Sequence, residues 1–330
     1  MQAHGNQSQC KARKSNDVYE KDQFFTNPAI ARECVAMLNL NEYDLCIEPS
    51  AGRGAFYNCL PTDKRVGVEL DRTLCDATEG LRCMSWLDYS TSMGNTLVIG
   101  NPPFGTQNSL AIRFFNHAAR FARTIAFIIP CSWKREHVQN KLSMQFKLRS
   151  SVDLPVHTEN HGRLFQGTLK TEVRCCFQIW DRSKTGPREP IVPTLTHADW
   201  TFLKCNPQHE SSAPQSPVLA DFIIQAYGHT PGVVEDNLSR WVPKNVHFIK
   251  SKIGVDELKR RFRGLDFSKA NHSARQLSMG KGMLVQLYQK RFGNGEGRVR
   301  PKALSKSGLR LKKMIRKMHR QYRATPNIVS

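Results

Sequence analysis

Seven short apolar runs, each bounded by turn residues, constrain this chain most: Leu45–Ile47, Arg65–Leu70, Leu81–Met84, Thr96–Gly100, Thr124–Ile129, Ser151–Leu154 and Val173–Trp180. Runs of this length are strand-sized, and many of the intervals between them carry helical spacing. Pro28 marks an expected first turn ahead of Ile30, Cys34, Val35 and Leu38, and Leu110, Phe114, Phe115, Ala118 and Phe121 repeat with helical period. Strands alternating with helices predict a doubly wound α/β, Rossmann-like sheet that is mostly parallel. The interval from Pro155 to Glu172 is polar and holds His and Gly. No helix fits there, so the last strand is expected to return antiparallel through a long loop over the ligand-binding edge.

The 330 residues, 39% of them hydrophobic, suffice for a large core plus a smaller lobe. Organisation along the chain is read as a flexible N-terminus at 1–17, a catalytic domain at 18–190, an irregular connector at 191–217, a target-recognition region at 218–297 and a basic tail at 298–330. From Arg182 to Pro217 the text turns rich in Pro, Ser, Thr and Lys. The region after it alternates apolar stretches (Phe222–Ala226, Val246–Ile249, Met283–Tyr288) with basic helical text at Glu257–Arg263. No acidic residue follows Glu296, whereas Arg298, Lys302, Arg310, Lys313, Arg316 and Arg320 are among the basic ones. A helix through the tail would put Leu311, Met314, Ile315, Met318 and Tyr322 on one face.

With 49 Lys+Arg against 28 Asp+Glu the net charge is +21, which attracts a polyanion, and the tail is expected to contact phosphates. No run approaches the ~18 apolar residues of a membrane span, and Met1–Asn16 lacks the apolar stretch of a secretory signal. The expectation is a soluble intracellular protein, cytoplasmic or nuclear. Ten cysteines occur without a CxxC, most of them singly within apolar runs, and are read as reduced core residues. His157 and His161 have ligand-like spacing but no third ligand nearby. With Arg163 and Lys170 in the same loop, substrate contact is the preferred reading, and no metal is expected. Lys134 and Arg135 follow the fifth strand as solvated or phosphate-holding cations. Trp86 and Trp133 are read as core or cofactor-wall packing.

Asn101-Pro102-Pro103-Phe104 follows the strand Thr96–Gly100 directly, where open α/β sheets bind their ligands. Two prolines fix φ and remove two amide donors, leaving a turn with outward carbonyls; Asn101 supplies a side-chain oxygen and Phe104 a flat face. Such a site suits an aromatic amine, a poor nucleophile because its lone pair is delocalised. Acceptors from Asn101 and the Pro102 carbonyl would bind both amine protons and stabilise the positive charge that grows as nitrogen attacks a methyl group. A second motif, Glu48-Pro49-Ser50-Ala51-Gly52-Arg53-Gly54, follows the first strand, and Glu69 ends the next one, placed to accept ribose hydroxyls. A third glycine is missing, which favours a nucleoside cofactor over a dinucleotide.

These motifs, from about Gln23 to Trp180, resemble the S-adenosylmethionine-dependent amino-methyltransferases that modify adenine N6, in gamma-like motif order. They are also similar to a set of viral and microbial proteins regarded as methyltransferases, through Ile99 to Gly105 and Phe177-Gln178-Ile179-Trp180. The resemblance implies a class I methyltransferase fold with seven strands and an antiparallel last strand. It also implies S-adenosylmethionine as cofactor, and a DNA or RNA substrate whose adenine is flipped out or presented unpaired. Phe24-Phe25-Thr26 and Glu48, Ser50, Gly52 and Gly54 would then lie along the methionine moiety, Glu69 at the ribose and Asp88 at the cofactor's adenine. Asn101, Pro102, Pro103 and Phe104 would form the catalytic tetrapeptide, with Asn101 also among the residues that line the cofactor. Arg53 departs from the pattern, standing where a small or polar residue is common. Two other readings are a protein glutamine N5-methyltransferase, which uses a similar Asn-Pro-Pro-aromatic turn, and a non-catalytic nucleic-acid-binding protein on the same fold.

Overall fold

The structure is a computed structural model, which describes residues 24–92, 94–158, 162–166, 173–203, 219–228, 230–238, 245–270 and 278–293. Its strands are β1 (Phe25–Thr26), β2 (Leu45–Glu48), β3 (Arg65–Glu69), β4 (Leu81–Cys83), β5 (Thr96–Gly100), β6 (Thr124–Pro130), β7 (Phe146–Asp153), β8 (His157–Thr158), β9 (Gly162–Arg163), β10 (Phe165–Gln166), β11 (Cys175–Arg182), β12 (Trp200–Leu203), β13 (Phe222–Gln225), β14 (Val234–Glu235) and β15 (Val246–Ser251). The helices are α1 (Pro28–Val35), α2 (Arg72–Ala77), α3 (Ser109–Ala118), α4 (Glu136–Gln139), α5 (Val255–Arg263) and α6 (Lys281–Phe292). Two compact units divide the chain: one holds β1 to β6, α1 to α3, β10 and the end of β11, the other β7 to β9, α4 and everything from β12 onward.

The main sheet has seven strands in the order β4-β3-β2-β5-β6-β11-β7. β2 to β6 pair in parallel. β11 runs against β6, since Cys131 N–H donates to Arg174 O and Arg182 N–H to Arg123 O. It also runs against β7, where Leu154 N–H donates to Cys175 O and Ser183 N–H to Gln145 O. This strand order, with the reversed strand inserted one place from the edge, is the Rossmann-like class I methyltransferase arrangement. β5 and β6 are buried along their whole length, which is why they read as continuous apolar text.

Two strand boundaries differ from expectation. β7, expected at Ser151–Leu154, begins at Phe146, because an edge strand buries only alternate or terminal residues: Phe146 and Val152 are buried while Lys147, Leu148 and Arg149 are exposed. Charged residues on such an edge also discourage pairing with another chain. β11 likewise runs to Arg182, past the expected Trp180, because Arg182 bonds the Ala122 and Ala119 carbonyls.

α1 begins where Pro28 predicts, with Asn27 capping Ala29 N–H, and it buries Ile30, Ala31, Cys34 and Val35. Leu38 lies beyond its end. α3 buries Ala111, Phe114, Phe115 and Ala118; Phe121 falls after it but stays in the core against Trp86. Trp86 is core, its Nε1–H donating to Phe114 O.

The second unit contains an antiparallel sheet in the order β12-β15-β13-β14. β12 lies inside the span expected as irregular connector, so that span is corrected: Trp200, fully buried, anchors it in a core with Phe222, Ile249, Leu258, Phe262 and Tyr288. Met283–Tyr288 belongs to a helix, α6, of which Met283, Leu284, Val285 and Tyr288 are buried. Asp199 is buried beneath this lobe, where its carboxylate accepts from Tyr288 O–H at 2.7 Å and Arg261 at 2.8 Å. Lys134 and Arg135 are neither solvated nor free for phosphate: Lys134 pairs with Asp153 and Arg135 donates to Ser278 Oγ. No helix among the described residues is long and apolar enough to cross a membrane. The N-terminus to residue 17, His161, Lys170 and the basic tail lie outside the described residues.

Candidate active site

The glycine loop is built by two left-handed positions that glycine adopts without strain, Gly52 (φ 55°) and Gly54 (φ 77°). Ala51 N–H donates to Val68 O and Gly54 N–H to Ala51 O, which folds the loop back over the end of β3. Glu69 then locks it. One carboxylate oxygen accepts Gly52 N–H at 2.7 Å, and the other accepts the N–H groups of Leu70 and Asp71 at 2.8 and 2.9 Å. A carboxylate has about four lone-pair directions, so this half-buried group retains acceptor capacity for a hydroxyl.

Glu48 closes β2 at the start of the loop. It is 2% exposed, and its Oε2 accepts Tyr57 N–H at 2.6 Å, so what it visibly does is hold the chain that leaves the loop. Burial pushes its carboxyl well above the usual carboxylate range, against the backbone N–H of Tyr57, while the charge of Glu69 raises it further. A folded-state pKa above the unfolded one stabilises the fold while the group is protonated, and that contribution is lost as pH rises through the raised pKa. Glu48→Gln keeps an acceptor and carries no charge. The melting temperature of this variant should therefore fall less than wild type's between acid and neutral pH, as measured by thermal denaturation across that range; parallel curves would refute the assignment.

The Asn101 turn is held from both sides. Ser50 Oγ donates to Asn101 O at 3.1 Å, tying the turn to the glycine loop. Asn101 Nδ2 donates to Phe24 O at 2.7 Å, which fixes the amide so that Oδ1 takes the other direction. Asn101 Oδ1 is buried and has no hydrogen-bond partner. A buried unsatisfied acceptor costs about 1–3 kcal/mol, so it marks a position kept for an incoming donor. The Pro102 carbonyl also receives no hydrogen bond among the described residues. Beyond Phe104 the backbone turns through Gly105 (φ 69°, ψ 174°), Gln107 (φ 54°) and Asn108 (φ 64°) before α3 begins. Left-handed non-glycine residues in succession are unusual and cluster at functional sites.

Two aromatic neighbours of the motif were not singled out from sequence as its partners. Phe24 stacks on Phe104 at 5.3 Å between centroids, and Phe165 packs edge-on to Phe104 at 6.4 Å and tilted against Phe24 at 5.1 Å. Phe165 arrives because the return loop forms β10 and pairs antiparallel with β1, Phe25 opposite Gln166 and Thr26 opposite Phe165. Only the polar character of that loop is visible in sequence, so its apolar anchor was not.

Phe25 packs against the glycine loop: a Cβ on Gly52 would come within 3.3 Å of its ring, and the Arg53 guanidinium lies 4.4 Å above it. The arginine that departs from the motif thus covers one face of Phe25. Thr26 is buried beside it. A cleft of about 390 Å³ is lined among others by Arg32, Arg53, Gly54 and Asn58. Asp88 ends the turn Trp86–Asp88 and is exposed, with no side-chain hydrogen bond to the other candidates among the described residues. His157 pairs with Arg163 across the β8–β9 hairpin, apart from the contacts above.

No protein-family model matches this sequence, and no curated protein does. Several solved structures align with part of this chain. A presumed RNA methyltransferase of Pyrococcus horikoshii is 14% identical, over 49% of this chain and 88% of its own, with a TM-score of 0.38. The 23S rRNA methyltransferase ErmE is 15% identical, over 52% of this chain and 73% of its own, at 0.37. The N-methyltransferase NodS of Bradyrhizobium japonicum is 10% identical, over 52% of this chain and all of its own, at 0.35. These likenesses span about half of the chain, and none carries a function to it.

Proposed function

We propose that this protein transfers a methyl group from S-adenosylmethionine to the N6 amino group of adenine in nucleic acid. The observation that carries the reading is Asn101 Oδ1: a buried acceptor without a partner, on an amide whose nitrogen is already committed to Phe24 O. An oxygen so placed accepts from an NH2 group and stabilises positive charge developing on that nitrogen. The Pro102 carbonyl is the second acceptor. Two acceptors for two amine protons hold the nitrogen lone pair out of conjugation and aimed along one line.

The residues present fit the cofactor. Gly52 and Gly54 admit close backbone approach, Phe25 and Thr26 form a wall beside them, and Glu69 keeps acceptor capacity for ribose hydroxyls. When bound, the cofactor supplies an electrophilic methyl on a sulfonium, and methyl transfer leaves a neutral thioether. Phe104, Phe24 and Phe165 supply flat apolar surface beside Asn101 for a ring. The net charge of +21 supports a polyanionic substrate, and phosphate contact by the tail at 298–330 and target reading by 218–297 belong to the same proposal. Asp88 is proposed as the partner of the cofactor's adenine.

The test is transfer of labelled methyl from S-adenosylmethionine to genomic DNA and to total RNA in parallel, with nucleoside mass spectrometry. Label in N6-methyladenosine or its deoxy form in one pool supports the reading and identifies the substrate. Label in neither, with cofactor binding intact, overturns it in favour of a protein amide acceptor. Absence of cofactor binding by calorimetry overturns the enzyme reading altogether, in favour of a binding protein on this fold.

A further inference from the structure

Among the described residues five cysteines are buried, and three of these, Cys34, Cys46 and Cys175, are accounted for as small core side chains. Cys131 and Cys176 differ, because they lie together beside a third potential ligand, the carboxylate of Asp153. Cys131 opens the turn Cys131–Lys134, Cys176 lies in β11, and Asp153 ends β7. Their two sulfurs and a carboxylate oxygen lie within 4.8 Å of one another, with Cys131 Sγ 3.8 Å from Asp153 Oδ1.

We infer that Cys131, Cys176 and Asp153 form a binding site for a thiophilic divalent transition metal of the zinc class, a site independent of the transfer reaction. Tetrahedral zinc takes sulfur at about 2.3 Å and carboxylate oxygen at about 2.0–2.2 Å, which separates neighbouring ligand atoms by roughly 3.5 Å. The sulfur–oxygen distance is already close to that. The ligands need little rearrangement, because backbone bonds from Cys131 N–H to Arg174 O (2.9 Å) and Leu154 N–H to Cys175 O (3.0 Å) hold the three segments side by side.

Charge fits as well. Two thiolates and a carboxylate around a dication leave one negative charge in excess, and the Lys134 ammonium, paired with Asp153, offsets it. Asp153 is more than half exposed while both cysteines are buried. Metal therefore enters from the carboxylate side, with water completing the fourth position. Ligands from three neighbouring chain segments make the ion a staple across this end of the sheet.

The test uses the full reduced protein titrated with Co²⁺ under anaerobic conditions. One equivalent should produce thiolate-to-cobalt charge-transfer absorption and the visible bands of tetrahedral cobalt, and Zn²⁺ should displace both. Cys131→Ser and Cys176→Ser should each abolish the charge-transfer band, and Cys83→Ser, on an exposed thiol elsewhere, should keep it. Asp153→Asn is an exposed change that does not threaten the fold, and it should weaken binding and shift the visible bands. Absence of the band in wild type overturns the site, as does a band that survives in both core variants or depends on Cys83. Should the serine variants fail to fold, an unchanged spectrum and affinity in Asp153→Asn overturns it alone.

Discussion

Asn101→Ala is expected to lower kcat for methyl transfer by about 10²–10³-fold, the range for removing one preorganised group that meets charge developing in a transition state. Oδ1 is the only side-chain acceptor that the motif turn offers, and it is buried without a hydrogen-bond partner. Its loss removes stabilisation realised as nitrogen becomes positive, rather than in ground-state binding. Cofactor affinity should change little. The bond from Asn101 Nδ2 to Phe24 O steadies the residue ahead of β1, and a typical hydrogen bond contributes only about 1 kcal/mol, a few-fold in affinity. Single-turnover transfer and calorimetric titration with S-adenosylmethionine separate the two quantities. Equal losses in both would show that Asn101 serves the cofactor and that the acceptor amine lies elsewhere.

Gly105→Ala is the second large effect, and it acts on backbone rather than on a reacting group. At φ 69° and ψ 174° the residue occupies a region essentially restricted to glycine, costing about 1–3 kcal/mol for any other residue. The added Cβ would also stand 2.8 Å from Leu110 Cβ and 3.0 Å from Leu110 N, so the first turn of α3 must shift. Because Ala111 N–H donates to Phe104 O, that shift reaches the motif aromatic directly. We expect a stability loss of about 1–3 kcal/mol, and a fall in turnover well below the melting transition that the unfolded fraction does not explain. Gly94→Ala is the control, since its Cβ would meet nothing within 4 Å. Equal melting temperatures and turnover in the two variants would remove Gly105 from the account.

Much of the architecture was legible in local text. Continuous apolar runs marked β5 and β6, and Pro28 marked the start of α1, because full burial and φ restriction leave a signature within a few residues. Elements that expose most of their residues were harder. β7 was read four to five residues short because its middle is exposed, and β12 was hidden in a connector because a four-residue strand is set by its partner β15 rather than by its own periodicity. Lys134 and Arg135 looked like free cations since nothing local announces Asp153 or Ser278 as their partners.

The site divides in the same way. Motif order and residue type determined where Asn101 to Phe104, the glycine loop and Glu69 would lie, since all follow strands whose ends are set by short-range pattern. Tertiary structure alone decided three further features. Glu48 is turned to Tyr57 N–H, the Asn101 amide is oriented by Phe24 O across 77 residues, and Phe165 is brought to Phe104 by the pairing of β10 with β1. Each depends on closing a long loop, whose outcome is set by the energy of the completed packing and hydrogen bonding and leaves no period in the sequence. The amino acids thus specify the chemistry available at the sheet edge, and the fold selects which of their atoms remain free to use it.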